Sequence, residues 1–426
     1  MPQAVFLSPE WQLLLRACSS AGVTDVDAAS CHTDPSFDWQ RLVRTASQHD
    51  IGPRLYHALR GCSLPDQAAE AAMTVAESQY FATGLRNALL ERELHRLLGH
   101  WRSAGIPAIV LKGSALTATV YRNRALRPMR DLDVLVQRSD MPRVEALMAD
   151  SGYEIDPNQR DRTDWYYGHH YHLTFLKRSL DKGTVRCEVH WLIERPGRPF
   201  AIDTEGLWAR AVTVRSAQRG MQVLSQEDTL LHLLLHVCKH RLLGGFRGFC
   251  DIAAVIASSG ASFDWEQACR RAAEWRIANL VYVPLLVTDR LLDAGVPAGI
   301  AAALAGPSVD ERLIDAAIAE ALTERVSAAL FPEFLSLCYG GSVAERTRTV
   351  RRVLARSSRR SDQVRPPWSS YPGRLRHVLG TYGAQLWRFS RQWEQVMAEV
   401  DRRKRLAAWL TPFSDEQPAA AGTSVS

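Results

Sequence analysis

Hydrophobic spacing separates the chain into a helical beginning, a short mixed middle and a helical remainder. Over Ala68–Leu98, Leu85, Leu89, Leu90, Leu94, Leu97 and Leu98 recur at helical steps, the signature of an amphipathic helix. The stretch has no proline and a single glycine, Gly84. Gly99 or Gly105 predicts its end. Residues 1–105 are therefore expected to form a helical N-terminal region. At Pro107 the pattern shortens. Ile109, Val110 and Leu111 make a compact apolar run, which predicts a buried strand. Gly113 and Ser114 follow, and Ser114 is expected to cap a helix through Tyr121. Beyond the polar loop Arg122–Arg130, residues Asp131–Val136 predict a second strand. Asp140 is expected to cap a helix over Met141–Ser151, which ends at Gly152. Tyr171–Leu176 and Thr184–Leu192 predict a hairpin that turns at Asp181, Lys182 and Gly183.

From about residue 204 the spacing predicts helices again, over Gln226–Leu243, Phe249–Ser258, Phe263–Glu274, Ile277–Ala294 and Ile314–Ala329. Ser357–Arg374 is rich in Ser, Arg and Pro and predicts a linker or exposed loop. Leu375–Leu410 has an aromatic helical stripe. Packing against the helical region is the favoured reading of that stripe, and a membrane or partner surface is the competing one. The expected fold class is α+β: a small mixed-sheet core at 106–203, between helical regions at 1–105 and 204–356. The linker at 357–374, a C-terminal helix at 375–411 and a disordered polar tail at 412–426 complete the expected organisation.

A chain of 426 residues needs two or three cores of ordinary size. With 46% hydrophobic and 23% charged residues, wholesale disorder is excluded. No apolar run reaches the roughly 18 residues that span a bilayer, and the N-terminus has no basic leader before its apolar residues. The eight cysteines are scattered and form no CxxC pair. Reduced, buried thiols and a cytoplasmic location are therefore expected. The net charge of +6 is carried almost wholly by arginine and says little about nucleic acid. Lysine is scarce: Lys112, Lys177, Lys182, Lys239 and Lys404 are the full set. A lysine inside a motif is thus unlikely to be an accident, and Lys112 and Lys239 both lie in such segments.

The motif that carries chemistry is Asp131-Leu132-Asp133. Alternate residues of a strand share a face, so both carboxylates point the same way. Paired like charges are costly unless a divalent cation neutralises them, and oxygen-only ligands suit Mg²⁺ or Mn²⁺. Glu188, in the later strand Val185–Val189, can add a third carboxylate. Gly113-Ser114 stands between a strand and a helix, where backbone N–H groups cradle phosphate. Three acids and a phosphate cradle suit phosphoryl chemistry that uses two metal ions.

At these residues the sequence resembles a known family. The run LKGSALTATVYRNRALRPMRDLDVLV, the later CEVHWLIERP and the LLHLLLHVCKH…FRGFCDIAAV beyond are similar to the uncharacterised nucleotidyltransferase family of the DNA polymerase β-like superfamily. The likeness covers roughly residues 75–260. Gly113-Ser114, the Asp131/Asp133 pair and Glu188 occupy the places of the superfamily's three signature blocks. The resemblance implies a metal-dependent enzyme that moves an NMP, most often AMP, from an NTP to a hydroxyl or phosphate and releases pyrophosphate. It also implies a bacterial setting beside genes for modified peptides such as lasso peptides. A small-molecule or peptide acceptor is expected, and no dedicated nucleic-acid module is seen. Three departures stand out: the spacing from Gly113 to Asp131 is long for the superfamily, though this family tolerates it; Arg130 precedes Asp131 where a small residue is usual; and the third acid is Glu rather than Asp.

Further candidates surround this core. Lys112 either reaches the nucleotide or faces the far side of the core. Arg127 either grips a phosphate or is a loop cation. His232, His236 and His240 share a helical face. That helix is expected to pack over the site, with His236, Lys239 or His240 near phosphates or acceptor and Asp251 downstream; hydrogen-bonded core histidines are the competing reading. His169, His170 and His172 precede the acidic hairpin, and His190 shares the face of Glu188. Any of them is conceivable as a base. Two other functions remain open: transfer of a sugar or another phosphate-activated group by the same fold, and a non-catalytic binding protein built on it.

Overall fold

A computed structural model of the chain describes residues 7–19, 37–179, 183–216, 219–305, 309–323 and 393–413. The chain divides into two compact units, 1–322 with 409–426 and 323–408. In the second, Trp393–Trp409 begins as a helix that runs to the boundary. The linker expected at 357–374 and the tail beyond Phe413 lie outside the described residues, as does 375–392 of the expected C-terminal helix. No helix among the described residues is long and apolar enough to cross a membrane.

In the first unit, three helices, α1 (Pro9–Cys18), α2 (Trp39–Gln48) and α3 (Gly52–Leu59), precede the long α4 (Gln67–Ser103). Asp66 caps α4, with its carboxylate accepting from the Ala69 N–H at 2.8 Å. Glu70 in the first turn and His100 and Arg102 in the last complement the helix dipole. Gly105, at a φ of +70°, takes the chain out of the helix. Leu90, Leu94, Leu97, Leu98 and Trp101 of α4 are buried in the main core. Removing the cap by Asp66→Ala is expected to cost about 1 kcal/mol, as read by urea denaturation. A loss above about 3 kcal/mol would show that Asp66 does more than cap.

The sheet strands are β1 (Ala108–Val110), β2 (Leu132–Val136), β3 (Glu154–Ile155), β4 (His172–Ser179), β5 (Gly183–His190), β6 (Val212–Ser216) and β7 (Arg219–Val223). Their order is β3-β4-β5-β2-β1-β7-β6. β2 runs antiparallel to β1 and parallel to β5, while β4 and β5 form an antiparallel hairpin. The fold class is α+β, as the sequence predicted. Every residue of β2 is buried, which fits a central strand covered on both faces. Met141, Val144 and Met148 of α6 (Met141–Asp150) join its apolar residues in the core, α5 (Lys112–Thr119) having come between β1 and β2.

Two expectations need correction. The helical reading from residue 204 missed β6 and β7, and β7 extends the sheet by parallel pairing with β1. Ser114 is not a helix cap: α5 already begins at Lys112, after Leu111, with no side-chain cap. Short helices α7 (Pro157–Arg160), α8 (Thr163–His169) and α9 (Thr204–Ala209) border the sheet strands in sequence. Beyond it, α10 (Gln226–Lys239), α11 (Arg247–Ser259), α12 (Trp265–Glu274) and α13 (Ala278–Leu292) pack on one another, followed by α14 (Ala298–Leu304) and α15 (Glu311–Ala321).

Candidate active site

The strand register brings the acids together. In the β2–β5 ladder Asp133 lies opposite Glu188, and in the β4–β5 ladder Glu188 lies opposite Thr174. Cross-strand partners share a face. Two residues on, His190 lies opposite His172, so Asp133, Glu188, His190 and His172 occupy one face of three adjacent strands. Asp131 sits just before β2 and is partly buried.

Asp133 is the centre of this group. Its Oδ1 accepts from Lys112 Nζ at 2.6 Å and stands 3.1 Å from His190 Nε2. Burial alone would raise its carboxyl, but Lys112 and the hydrogen bond to His190 outweigh burial and hold it well below the usual carboxylate range. The neighbouring acids move the other way. Burial first, then the charge of Asp133, raises Asp131. The same two causes push Glu188 up to about 7, with Lys112 opposing. Burial lowers His190 to about 4 in spite of Asp133. Three carboxylates that repel one another on a dry face are a donor set suited to a divalent cation. Asp133 and Glu188 are opposed across adjacent strands, and Asp131 lies just before β2.

Lys112 reaches Asp133 through an unusual backbone. Its φ is +43°, a left-handed conformation that costs a non-glycine residue about 1–3 kcal/mol. Gly113 follows, and a Cβ there would push the Arg127 guanidinium aside and press closely on Met129 Sδ. Ser114 is buried, with its Oγ 3.8 Å from Met129 Sδ.

Arg127, read as either a phosphate grip or a loop cation, lies in a buried ion pair with Asp251 of α11: Nη2 donates to Oδ2 at 2.9 Å, and Nε to both carboxylate oxygens at 3.2 Å. Tyr121 donates its hydroxyl to Asp251 Oδ1 at 2.7 Å and accepts from Arg54 at 2.8 Å. The loop that leads into Asp131 is gripped from outside as well. Asn87 donates to the Arg124 and Arg127 carbonyls, Arg86 to those of Met129 and Arg130, and Arg247 to that of Pro128. Arg130 is exposed and pairs with Asp50 at 2.8 Å.

Lys239, at the end of α10, holds its ammonium 3.6 Å from the Tyr171 ring centroid and 4.0 Å from Glu194. Burial lowers it to about 8, Glu194 opposing and Lys112 adding to the fall. His232 is buried and His236 half-buried; burial, then Lys112, disfavours their charged forms. His240 follows α10, its ring edge-on to His236 at 4.5 Å. The supporting residues Arg54, Asn87, Tyr121 and Arg247 were missed by the sequence reading. So was the meeting of His172 with His190, whose signal was the hairpin register.

The model of the family described as "Uncharacterised nucleotidyltransferase" matches residues 35–293, more than half the chain. No curated protein matches. A crystal structure of ANT(2″)-Ia in complex with adenylyl-2″-tobramycin is similar at a TM-score of 0.31 and 15% identity, over 44% of this chain and 96% of that one. A solution structure of the antibiotic-resistance factor ANT(2″)-Ia gives 0.30 and 15%, over 44% and 91%. The extent of the family match and the motifs it encloses show that the chain belongs to the uncharacterised nucleotidyltransferase family.

Proposed function

We propose that the protein transfers an NMP, with AMP favoured, from an NTP to a hydroxyl or phosphate of a small-molecule or peptide acceptor and releases pyrophosphate. The observation that carries this reading is the register of Asp133 against Glu188 on adjacent strands, with Asp131 two residues before Asp133. A divalent cation, Mg²⁺ or Mn²⁺, would be held by Asp131, Asp133 and Glu188. When bound, it supplies charge neutralisation at the transferring phosphorus and at the leaving oxygens.

The chain's own residues then have separate tasks. Glu188, beside the acceptor, would help activate its hydroxyl. Lys112 and Lys239 are the cations for phosphate. The Gly113-Ser114 turn brings backbone close to the nucleotide. The Arg127–Asp251 pair positions the loop before Asp131. The roles of His190, His236 and His240 are secondary in this reading.

Isothermal titration with each of the four NTPs, with and without Mg²⁺, tests it beside the Asp131→Asn/Asp133→Asn double variant. Metal-dependent binding of one NTP, lost in the folded variant, is the expected result. Failure to bind any NTP overturns the proposal and turns attention to a nucleotide-sugar donor or a binding role.

Lys239 gives a pH prediction. Its ammonium is lowered to about 8, so it is charged below that pH and loses its charge as pH rises through it. NTP affinity is expected to fall about tenfold between pH 7 and pH 9, the weight of one charge-assisted hydrogen bond. In Lys239→Arg the affinity should stay level. A wild-type affinity that does not change with pH removes Lys239 from the nucleotide site.

A further inference from the structure

We propose that His172, Glu188 and His190 form a site for a divalent transition-metal ion, Zn²⁺, Mn²⁺ or Fe²⁺ by class, distinct in chemistry from an all-carboxylate magnesium site. Among the described residues, they are the group of three ligand-type side chains whose donor atoms all lie within 4.8 Å of one another. Glu188 Oε2 is 3.8 Å from His190 Nε2 and 3.9 Å from His172 Nε2. Donors about 2.1 Å from a tetrahedral ion stand about 3.4 Å apart. Closing around an ion therefore needs a contraction of about half an ångström, within the reach of side-chain rotation.

The strands fix this arrangement before any ion arrives. His172 and His190 are directly opposed in the β4–β5 ladder, with ring centroids 4.9 Å apart. Glu188 precedes His190 by two residues, on the same face. Asp133 Oδ1, 3.1 Å from His190 Nε2, stands by as a fourth donor.

A second observation points to a ligand. A histidine ring buried for structural reasons makes hydrogen bonds, because an unmet buried polar group is costly. His172 is 7% exposed, and its Nδ1 is buried without a hydrogen-bond partner among the described residues. The Nδ1 atoms of His172 and His190 are both buried without a partner there. Two imidazoles and one carboxylate form a set that Mg²⁺ does not favour and that first-row transition ions do.

The inference deepens the transferase reading, since Glu188 belongs to both, but it is tested without nucleotide. Co²⁺ is titrated into the full chain in excess Mg²⁺ and followed by its visible ligand-field absorption, with Zn²⁺ as competitor. The expected result is one equivalent of Co²⁺ with nitrogen-ligated bands, displaced by Zn²⁺ and not by Mg²⁺. In His172→Gln and in His190→Gln, each checked for folding by circular dichroism, Co²⁺ affinity should fall at least tenfold. Asp131→Asn should leave the bands in place. Absence of Co²⁺ binding, or bands unchanged in both glutamine variants, overturns the site. If Mg²⁺-dependent NTP binding persists in that case, the transferase reading survives alone. If Co²⁺ binds but no NTP does, the metal site stands and the transferase reading falls.

Discussion

Asp133→Asn is expected to abolish Mg²⁺-dependent NTP binding while the protein stays folded. Asp133 lies on the central strand, within 2.6 Å of Lys112 Nζ and 3.1 Å of His190 Nε2, and it is the acid that holds its charge most firmly. Asparagine keeps the shape of the side chain and can still accept from Lys112. It removes the negative charge that a cation needs. Altering a residue one step removed from a metal costs about 10–100-fold in affinity, so losing this carboxylate should cost more than about 100-fold. A second consequence follows on Glu188. Burial first, and then the charge of Asp133, pushes it up to about 7, so its titration, followed by carbon-detected NMR, should move to lower pH in the variant. Titration calorimetry that finds wild-type NTP affinity in Asp133→Asn would falsify the assignment of the site.

Asp251→Ala should be among the most destabilising single changes in the protein. The substitution leaves the Arg127 guanidinium buried beside Tyr121 with its main partner gone. Removing one member of a buried ion pair costs about 3–5 kcal/mol, because the remaining charge is uncompensated. Replacing both members by apolar residues of similar size, Arg127→Met/Asp251→Leu, should recover most of that loss. Chemical denaturation of the two variants measures the difference. A loss below about 1 kcal/mol in Asp251→Ala would mean that water reaches Arg127. Because Arg127 belongs to the loop ahead of Asp131, the single variant should also weaken NTP binding at temperatures where it is still folded.

Some of this site was legible in the chain and some was not, for physical reasons. Asp131 and Asp133 stood out because acids at a two-residue step inside an apolar run contradict burial unless they have a purpose. Glu188 followed from the same alternation, with Cys187 and Val189 on the opposite, buried side. The strands β6 and β7 left no such trace. Val212 is exposed and Thr213, Arg215 and Arg219 interrupt the apolar pattern, so an edge hairpin looked like a polar connection. Ser114 was read as a cap because caps are local signals, but Lys112 enters the left-handed region and starts the helix early. The pairing of Arg127 with Asp251 spans 124 residues, and nothing local announces it. His172 and His190 needed the hairpin register, which a shift of the turn by one residue would have changed.

If the proposed metal site is filled, the bond between Lys112 and Asp133 bears on which ions can enter it. Lys112 carries its own tethered cation to the carboxylate that an incoming ion would seek. Entry is therefore an exchange, and the apparent affinity is the difference between two attractions. Weakly attracted ions lose that contest while the ammonium stays in place. A lysine suits such a gate, because its compact charge rides on a flexible stem and can swing aside. An arginine, common everywhere else in this chain, would offer a rigid fork that grips a carboxylate with two bonds and releases it less readily.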